Sequence, residues 1–173
     1  MKPVIFGLSG MAVPGEERAL FRPCEPAGYI LSDRNIADKA QLRALTDSLR
    51  DMAGRDDLLI MVDQEGGRVA RMRPPEWPRF PAAGGFDALY ELAPSSAIQA
   101  ARCNAPALGA MLAESGLNAD AAPVLDVRQE GASDVVGDRS FGADPMRVAA
   151  LGRATVEGLS AGGVLPIVKH MPG

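Results

Sequence analysis

The sequence is poor in aromatic residues, cysteine and histidine, and it has no long apolar run. Its two cysteines, Cys24 and Cys103, stand far apart without C-x-x-C spacing, which favours reduced thiols over a disulfide. With one histidine, His170, the sequence offers no spacing typical of a metal site. No stretch approaches the roughly 20 apolar residues of a membrane span, and no secretory apolar segment follows the N-terminus. We therefore expect a globular cytoplasmic protein without a metal site.

The charge pattern argues against two further classes of partner. The formal net charge is -4, and the basic residues form no stripe along the chain. Nucleic acids and anionic membranes bind to concentrated positive charge, so neither is an expected partner.

Short apolar runs alternate with longer amphipathic stretches, which indicates an α/β protein. Continuous apolar runs, rather than alternating ones, are typical of parallel strands covered on both faces. We predict strands at 3–9, 28–32, 57–64, 118–127 and 164–170. We predict helices at 16–22, 35–53, 96–115 and 145–161, with a long loop between the third strand and the second long helix.

This order fits both an open doubly wound sheet and a closed barrel. No G-x-G-x-x-G motif follows the first strand, as a dinucleotide-binding sheet would require. Polar residues recur where strands end, which is where a (β/α)₈ barrel builds its active site. Eight units need about 250 residues, so we predict one domain, 1–173, holding the first five units of a barrel. Two open sheet edges would make such a chain poorly stable.

The most informative stretch reads "MVDQEGGRVARMRPPEWPRFP", residues 61–81. A strand delivers Asp63, two glycines allow a tight turn, and arginines including Arg71 follow. Carboxylates and arginines beside an aromatic wall, here Trp77 and Phe80, are typical of a sugar site. The alternative is a solvated turn in which Asp63 caps the backbone and the arginines pair with nearby acids.

Two later stretches also carry candidate residues. "GDRSFG", residues 137–142, contains Arg139, whose alternative role is a loop ion pair with Asp138. "VKH" ends the last predicted strand, and Lys169 and His170 can share one site only where that strand ends. A single histidine is also compatible with a purely structural hydrogen bond.

Asp126 lies near the end of the fourth predicted strand, where it is either a ligand or a loop anchor. Together with Asp63 it could form the carboxylate pair of a glycosidase, although sequence alone does not give their separation.

Taken together, six stretches resemble the family 3 glycoside hydrolases, in particular bacterial cytoplasmic β-N-acetylglucosaminidases of cell-wall recycling. They are, in order, "PVIFGLSG", "GYILSDRNI", "VDQEGGRVARMRPPEWPRFP", "LNADAAPVLDV", "GDRSFGADP" and "GGVLPIVKHMPG". The resemblance implies a (β/α)₈ barrel that removes β-linked N-acetylglucosamine from muropeptides with retention, as a monomer and without a cofactor. It also implies five substrate-binding residues: Asp63, Arg71, Arg139, Lys169 and His170.

The resemblance implies no catalytic residue within these 173 residues. In the family, the "KH-x-PG" motif is followed by an Asp-x-His dyad that holds the acid/base, and the nucleophilic aspartate comes later. We therefore expect the chain by itself to be inactive, as the N-terminal part of a longer catalytic barrel. Two alternatives stay open: a β-glucosidase of the same family, and a non-catalytic half barrel that binds amino sugars.

Overall fold

Five parallel strands form one sheet in the computed structural model, which describes residues 1–172. The strands are β1 (Lys2–Gly7), β2 (Pro26–Leu31), β3 (Leu59–Val62), β4 (Ala119–Asp120) and β5 (Leu165–Pro166). The α-helices are α1 (Gly15–Cys24), α2 (Lys39–Ala53), α3 (Ala83–Leu92), α4 (Pro94–Glu114) and α5 (Pro145–Ala161). Two short 3₁₀ helices cover Asp33–Asn35 and Gly137–Arg139. None of the helices in the described range is long and apolar enough to cross a membrane.

The order of the strands in the sheet follows their order in the chain, β1-β2-β3-β4-β5, and every neighbouring pair is parallel. A doubly wound sheet would reverse direction at a switch point, whereas a barrel adds each strand beside the previous one. The observed order confirms the predicted α/β class and the barrel-type arrangement. The sheet has two edges, β1 and β5.

Helix boundaries follow local capping signals. The Asp38 carboxylate accepts a hydrogen bond from the Gln41 amide at 2.8 Å, so α2 begins after Asp38 rather than at residue 35. Asp144 caps α5 in the same way through the Met146 amide at 2.7 Å. The predicted bounds of the last helix, 145–161, are confirmed, and Gly162 is the C-cap of α5.

Two predicted strands are shorter than expected. Regular pairing covers two residues of β4 and two of β5, because Pro123 and Pro166 have no amide hydrogen to donate. Pairing resumes beyond Pro123, where the Leu125 amide donates to the Lys169 carbonyl at 2.6 Å. This hydrogen bond holds the residues that follow β5 at the C-terminal edge of the sheet.

The prediction of a long loop between β3 and α4 was wrong in part, because α3 lies within it. Two glycines in its first turn and prolines nearby obscured the helical pattern in the sequence. Phe86 and Phe141 contact each other with ring centroids 6.4 Å apart, in an apolar cluster that joins α3, α4 and α5. The helix therefore packs against the loop that follows β4.

Close packing between β2 and β3 depends on one glycine. A Cβ atom at Gly28 would lie 2.3 Å from the carbonyl oxygen of Leu59 on the neighbouring strand. Gly28 and Leu59 are register partners, so any side chain there would push the two strands apart.

Gly28→Ala is expected to lower the free energy of unfolding by about 2 kcal/mol, since overpacking a rigid core typically costs 1–3 kcal/mol. Gly10→Ala is the matched control, because a Cβ atom there meets nothing within 4 Å. Urea unfolding followed by circular dichroism measures both variants. Equal stability of the two would contradict close packing at Gly28.

Candidate functional site

The C-terminal edge of the sheet brings the five predicted residues to one end of the strands. Asp63 follows β3, and Lys169 and His170 follow β5. Arg71 comes from the loop after β3, and Arg139 ends the 3₁₀ helix in the loop after β4. Four of the five join one network of ion pairs, and His170 forms a separate pair beside it.

The Lys169 ammonium lies between two carboxylates from the β3 end. Its Nζ is 2.8 Å from Asp63 Oδ1 and 2.6 Å from Glu65 Oε1. The Lys169 side chain is 15 % exposed and that of Glu65 is 6 % exposed, so water screens these contacts little. An ammonium has three N–H donors, which leaves one for a ligand.

Glu65 also fixes Arg139 from the opposite side. The guanidinium donates from Nε to Glu65 Oε2 at 2.7 Å and from Nη2 to Glu65 Oε1 at 2.8 Å. This is the bidentate geometry that holds an arginine in one orientation. The hydrogen bonds to Glu65 raise the pKa of Arg139 above its usual range, so the guanidinium stays charged. The alternative of a pair with Asp138 is wrong, because Asp138 binds Arg68 instead, at 2.8 Å.

Asp63 is ionised and also pairs with Arg71, which in turn pairs with Asp33. Burial raises the pKa of Asp63, but the hydrogen bond and charge of Lys169, with a smaller effect of Arg71, lower it below its usual range. Arg71 Nη2 lies 3.4 Å from Asp63 Oδ2, and Arg71 Nη1 lies 3.3 Å from Asp33 Oδ2. Asp63 is therefore a fixed acceptor whose remaining lone pairs face a partly open site.

His170 pairs with Asp126 beside this network. His170 Nδ1 lies 2.5 Å from Asp126 Oδ2. Nε2 of His170 makes no hydrogen bond with another residue in the range 1–172. Both residues line a cavity of about 530 Å³. Its other walls come from 125–129, 132–134 and 136–137, in the loop that precedes Arg139.

A buried acid, Asp120, supports the network of ion pairs. Asp120 is fully buried, and its Oδ1 accepts a hydrogen bond from the Gln64 amide at 3.0 Å. Burial is the main cause that raises the pKa of Asp120 to about 8. The hydrogen bond from Gln64 and the charge of Lys169 lower this pKa, whereas the charges of Asp63 and Glu65 raise it. Asp120 is therefore mostly neutral at pH 7, and it positions the backbone between Asp63 and Glu65.

The loop that carries Arg139 is held at its base by Asp87 of α3. The Arg128 amide donates to the Gly142 carbonyl at 3.0 Å and closes the loop at its two ends. Asp87 accepts hydrogen bonds from Arg128 and from Arg147, the latter at 2.6 Å, and is buried. A Cβ atom at Gly142 would lie 2.5 Å from Asp87 Oδ1, so only glycine fits there.

The sequence did not single out three residues of the site, Glu65, Asp33 and Asp120. It also placed Trp77 at the site, where the structure does not. Glu65 and Asp33 both stand in the polar groups at strand ends, which was the signal for them. Asp120 had no signal beyond its place in a strand. The expected aromatic wall is wrong for Trp77, which is 4 % exposed and packs in the main core.

The site places fixed hydrogen-bond acceptors and fixed hydrogen-bond donors next to each other. Such a set can hold a polyhydroxylated ring, because each hydroxyl both donates and accepts. No group of three or more His, Cys, Asp or Glu able to hold a metal ion occurs among residues 1–172.

Asp120→Asn is expected to reduce the loss of free energy of unfolding that accompanies a rise in pH. The folded pKa of Asp120, about 8, lies above the unfolded value of about 3.9, so folding takes up a proton between them. The stabilisation is complete below the unfolded pKa and is lost as the pH rises through the folded one. Asparagine keeps an acceptor for the Gln64 amide but does not titrate. Urea unfolding across this range measures the slope, with the exposed Asp57→Asn as control; an unchanged slope in Asp120→Asn would refute the assignment.

Comparison with known proteins shows the family of the chain. The family model described as "Glycosyl hydrolase family 3 N terminal domain" matches residues 11–173. A protein of Aromatoleum aromaticum named Beta-hexosaminidase is 39 % identical over 171 residues, covering 99 % of this chain and 48 % of the relative. The chain thus spans about half the length of the curated relatives it matches.

Two crystal structures of NagZ from Neisseria gonorrhoeae are also similar. The one in complex with zinc ion has a TM-score of 0.92 and 32 % identity, covering 99 % of this chain and 51 % of that protein. The one in complex with N-trifluoroacetyl-D-glucosamine has a TM-score of 0.90 and 33 % identity, covering 99 % and 49 %. On these grounds the chain belongs to glycosyl hydrolase family 3 and corresponds to the N-terminal domain of that family.

Proposed function

We propose that the protein containing this chain removes terminal β-linked N-acetylglucosamine from muropeptides, in the cytoplasm, as a step of peptidoglycan recycling. One observation carries the proposal: the Lys169 ammonium joins Asp63 and Glu65 in a preorganised donor and acceptor set at the C-terminal edge of the sheet. The similarity to proteins named Beta-hexosaminidase supports the sugar class. The similarity to a NagZ crystallised with N-trifluoroacetyl-D-glucosamine supports an N-acylated amino sugar.

Each binding residue has a role that follows from its contacts. Asp63 accepts hydrogen bonds from ring hydroxyls, because Lys169 and Arg71 keep it ionised. Lys169 donates its remaining N–H to the same ring. Arg139, fixed by Glu65, donates from the side of the loop after β4. His170 presents Nε2 toward the cavity through its pair with Asp126.

The reaction in this proposal has two steps and retains the configuration at the anomeric carbon. A carboxylate attacks that carbon while an acid protonates the leaving oxygen, and water then releases the sugar from the glycosyl-enzyme intermediate. We assign neither group to residues 1–172, whose charged side chains at the site are engaged in binding pairs. The acid/base and the nucleophile belong, in this proposal, to an Asp-x-His dyad and an aspartate further along the full-length protein. No cofactor is needed, because carboxyl and imidazole groups suffice.

The full-length protein is expected to hydrolyse an aryl β-N-acetylglucosaminide with a higher kcat/KM than an aryl β-glucoside. Steady-state kinetics with both substrates measures the ratio, and the 173-residue chain alone serves as the control, expected to show no turnover. Faster hydrolysis of the glucoside would replace the proposal with a β-glucosidase. A stop codon directly after codon 173 would favour the non-catalytic sugar-binding half barrel.

Asp63→Ala is expected to weaken binding of N-acetylglucosamine by about 1–3 kcal/mol, the range for lost hydrogen bonds to a charged group. Titration calorimetry on the full-length protein gives the dissociation constant. Asp57→Ala is the matched control, because the Asp57 side chain is 83 % exposed and precedes β3 at the opposite end of the strand. An unchanged dissociation constant for Asp63→Ala would remove Asp63 from the site.

A further inference from the structure

A tight turn just after β3 presents two charged side chains to the loop after β4. The Glu65 amide donates to the Val69 carbonyl at 2.9 Å, which closes the turn. Gly66 and Gly67 lie inside it with φ of 92° and 59°, a backbone region that residues with a side chain rarely adopt. The two glycines thereby allow Glu65 and Arg68, which flank them, to reach the same neighbouring loop.

The Arg68 guanidinium binds four oxygen atoms of that loop. Its Nε donates to Asp138 Oδ1 at 2.8 Å. Its Nη2 lies 3.1, 2.8 and 3.2 Å from the carbonyl oxygens of residues 134–136, in that order. These carbonyls immediately precede the 3₁₀ helix Gly137–Arg139, and Asp138 is inside it. One guanidinium therefore holds both the approach to this short helix and the helix itself.

Gly137 allows the segment before the 3₁₀ helix to fold back closely on itself. Its φ is 46°, and a Cβ atom there would lie 2.6 Å from Asp134 Oδ1. Successive carbonyl oxygens in such a turn need hydrogen-bond donors. A guanidinium supplies several donors from one planar, permanently charged group, so Arg68 suits this cluster of acceptors.

One backbone carbonyl links Arg68 directly to Arg139. The Val135 carbonyl accepts from Arg68 Nη2 at 2.8 Å and from Arg139 Nη1 at 3.3 Å. Glu65 binds the same Arg139 guanidinium through Nε and Nη2. Arg139 is thus held at two points, by a carboxylate of the turn after β3 and by a carbonyl that Arg68 fixes.

We propose that Arg68 is a positioning residue of the sugar site, because it fixes the 3₁₀ helix Gly137–Arg139 and with it the orientation in which Arg139 meets the sugar. This inference rests on the proposed function, since it takes Arg139 as a sugar contact. Arg68 acts through Arg139 and not on the sugar itself. Its ion pair with Asp138 contributes little alone, because the two side chains are 49 % and 51 % exposed, so the carbonyl contacts carry most of the effect.

The test uses Arg68→Met in the full-length protein, with an aryl β-N-acetylglucosaminide as substrate. Methionine keeps the apolar stem and removes every donor. We expect KM to rise about fivefold, the equivalent of one net hydrogen bond, and kcat to stay unchanged. A loosened Arg139 weakens the ground state and the transition state equally, which raises KM alone.

Arg139→Gln provides the background that separates positioning from a general structural effect. If Arg68 acts through Arg139, then adding Arg68→Met to Arg139→Gln raises KM no further, because the two changes are fully coupled. Arg43→Met is the matched control. Arg43 lies on α2 and pairs with Asp47 at 3.0 Å, and these side chains are 54 % and 48 % exposed, close to the values of the Arg68 pair. Its KM is expected to equal that of the unaltered protein.

Three results overturn the inference while the proposed function stands: an unchanged KM in Arg68→Met, the same rise in KM with and without Arg139→Gln, or an equal rise in Arg43→Met. Circular dichroism checks that each variant is folded. If Arg68→Met does not fold, Arg68→Lys replaces it in the same comparison, with a smaller expected rise because an ammonium keeps the charge but lacks the planar set of donors. No turnover by the unaltered protein overturns the proposed function and this inference with it.

Discussion

The Lys169 ammonium connects the parts of the chain that build the site. It binds Asp63 and Glu65, which follow β3, from a position just after β5. Glu65 then binds Arg139 from the loop after β4. One lysine therefore ties the ends of two strands and, through Glu65, a distant loop into one polar surface. Without it, two carboxylates would lie close together and partly buried, an arrangement that favours protonating one of them.

The balance of charge around Lys169 explains why so many acids can gather at this edge of the sheet. Asp63 and Glu65 have cationic partners, and Asp126 has His170. Among residues 1–172, Asp120 has no cation of its own within hydrogen-bonding distance. It is fully buried and is neutral through much of the physiological pH range. Burying an unpaired charge is far more costly than protonating it, so the acid without a partner is the one that loses its charge. Oδ1 of Asp120 still accepts the hydrogen bond from the Gln64 amide, which fixes the backbone between Asp63 and Glu65.

Helix α3 supports this arrangement. Through Asp87, α3 holds Arg128 and Arg147, and thus the base of the loop that carries Arg139. The loop after β3 is anchored in a similar way, since Gln64 accepts hydrogen bonds from the Arg71 and Met72 amides at 2.8 and 3.0 Å. Both loops are thus held by buried polar side chains rather than by regular secondary structure.

The sequence by itself determined the order of the strands and of four of the five helices, and the barrel-type progression. These follow from periodicity and local caps, which depend on neighbours a few residues away. The five candidate site residues came from the resemblance of their motifs to family 3, and two of them, Arg71 and Arg139, lie in loops rather than at strand ends. The tertiary structure alone decided the partners: Glu65 with Arg139, 74 residues apart, and Asp63 with Lys169, 106 residues apart. It also decided that Trp77 is buried, that α3 interrupts the long loop and that Asp120 is neutral. Ion pairing and pKa depend on distance and burial in space, and these are set only when the strands lie side by side.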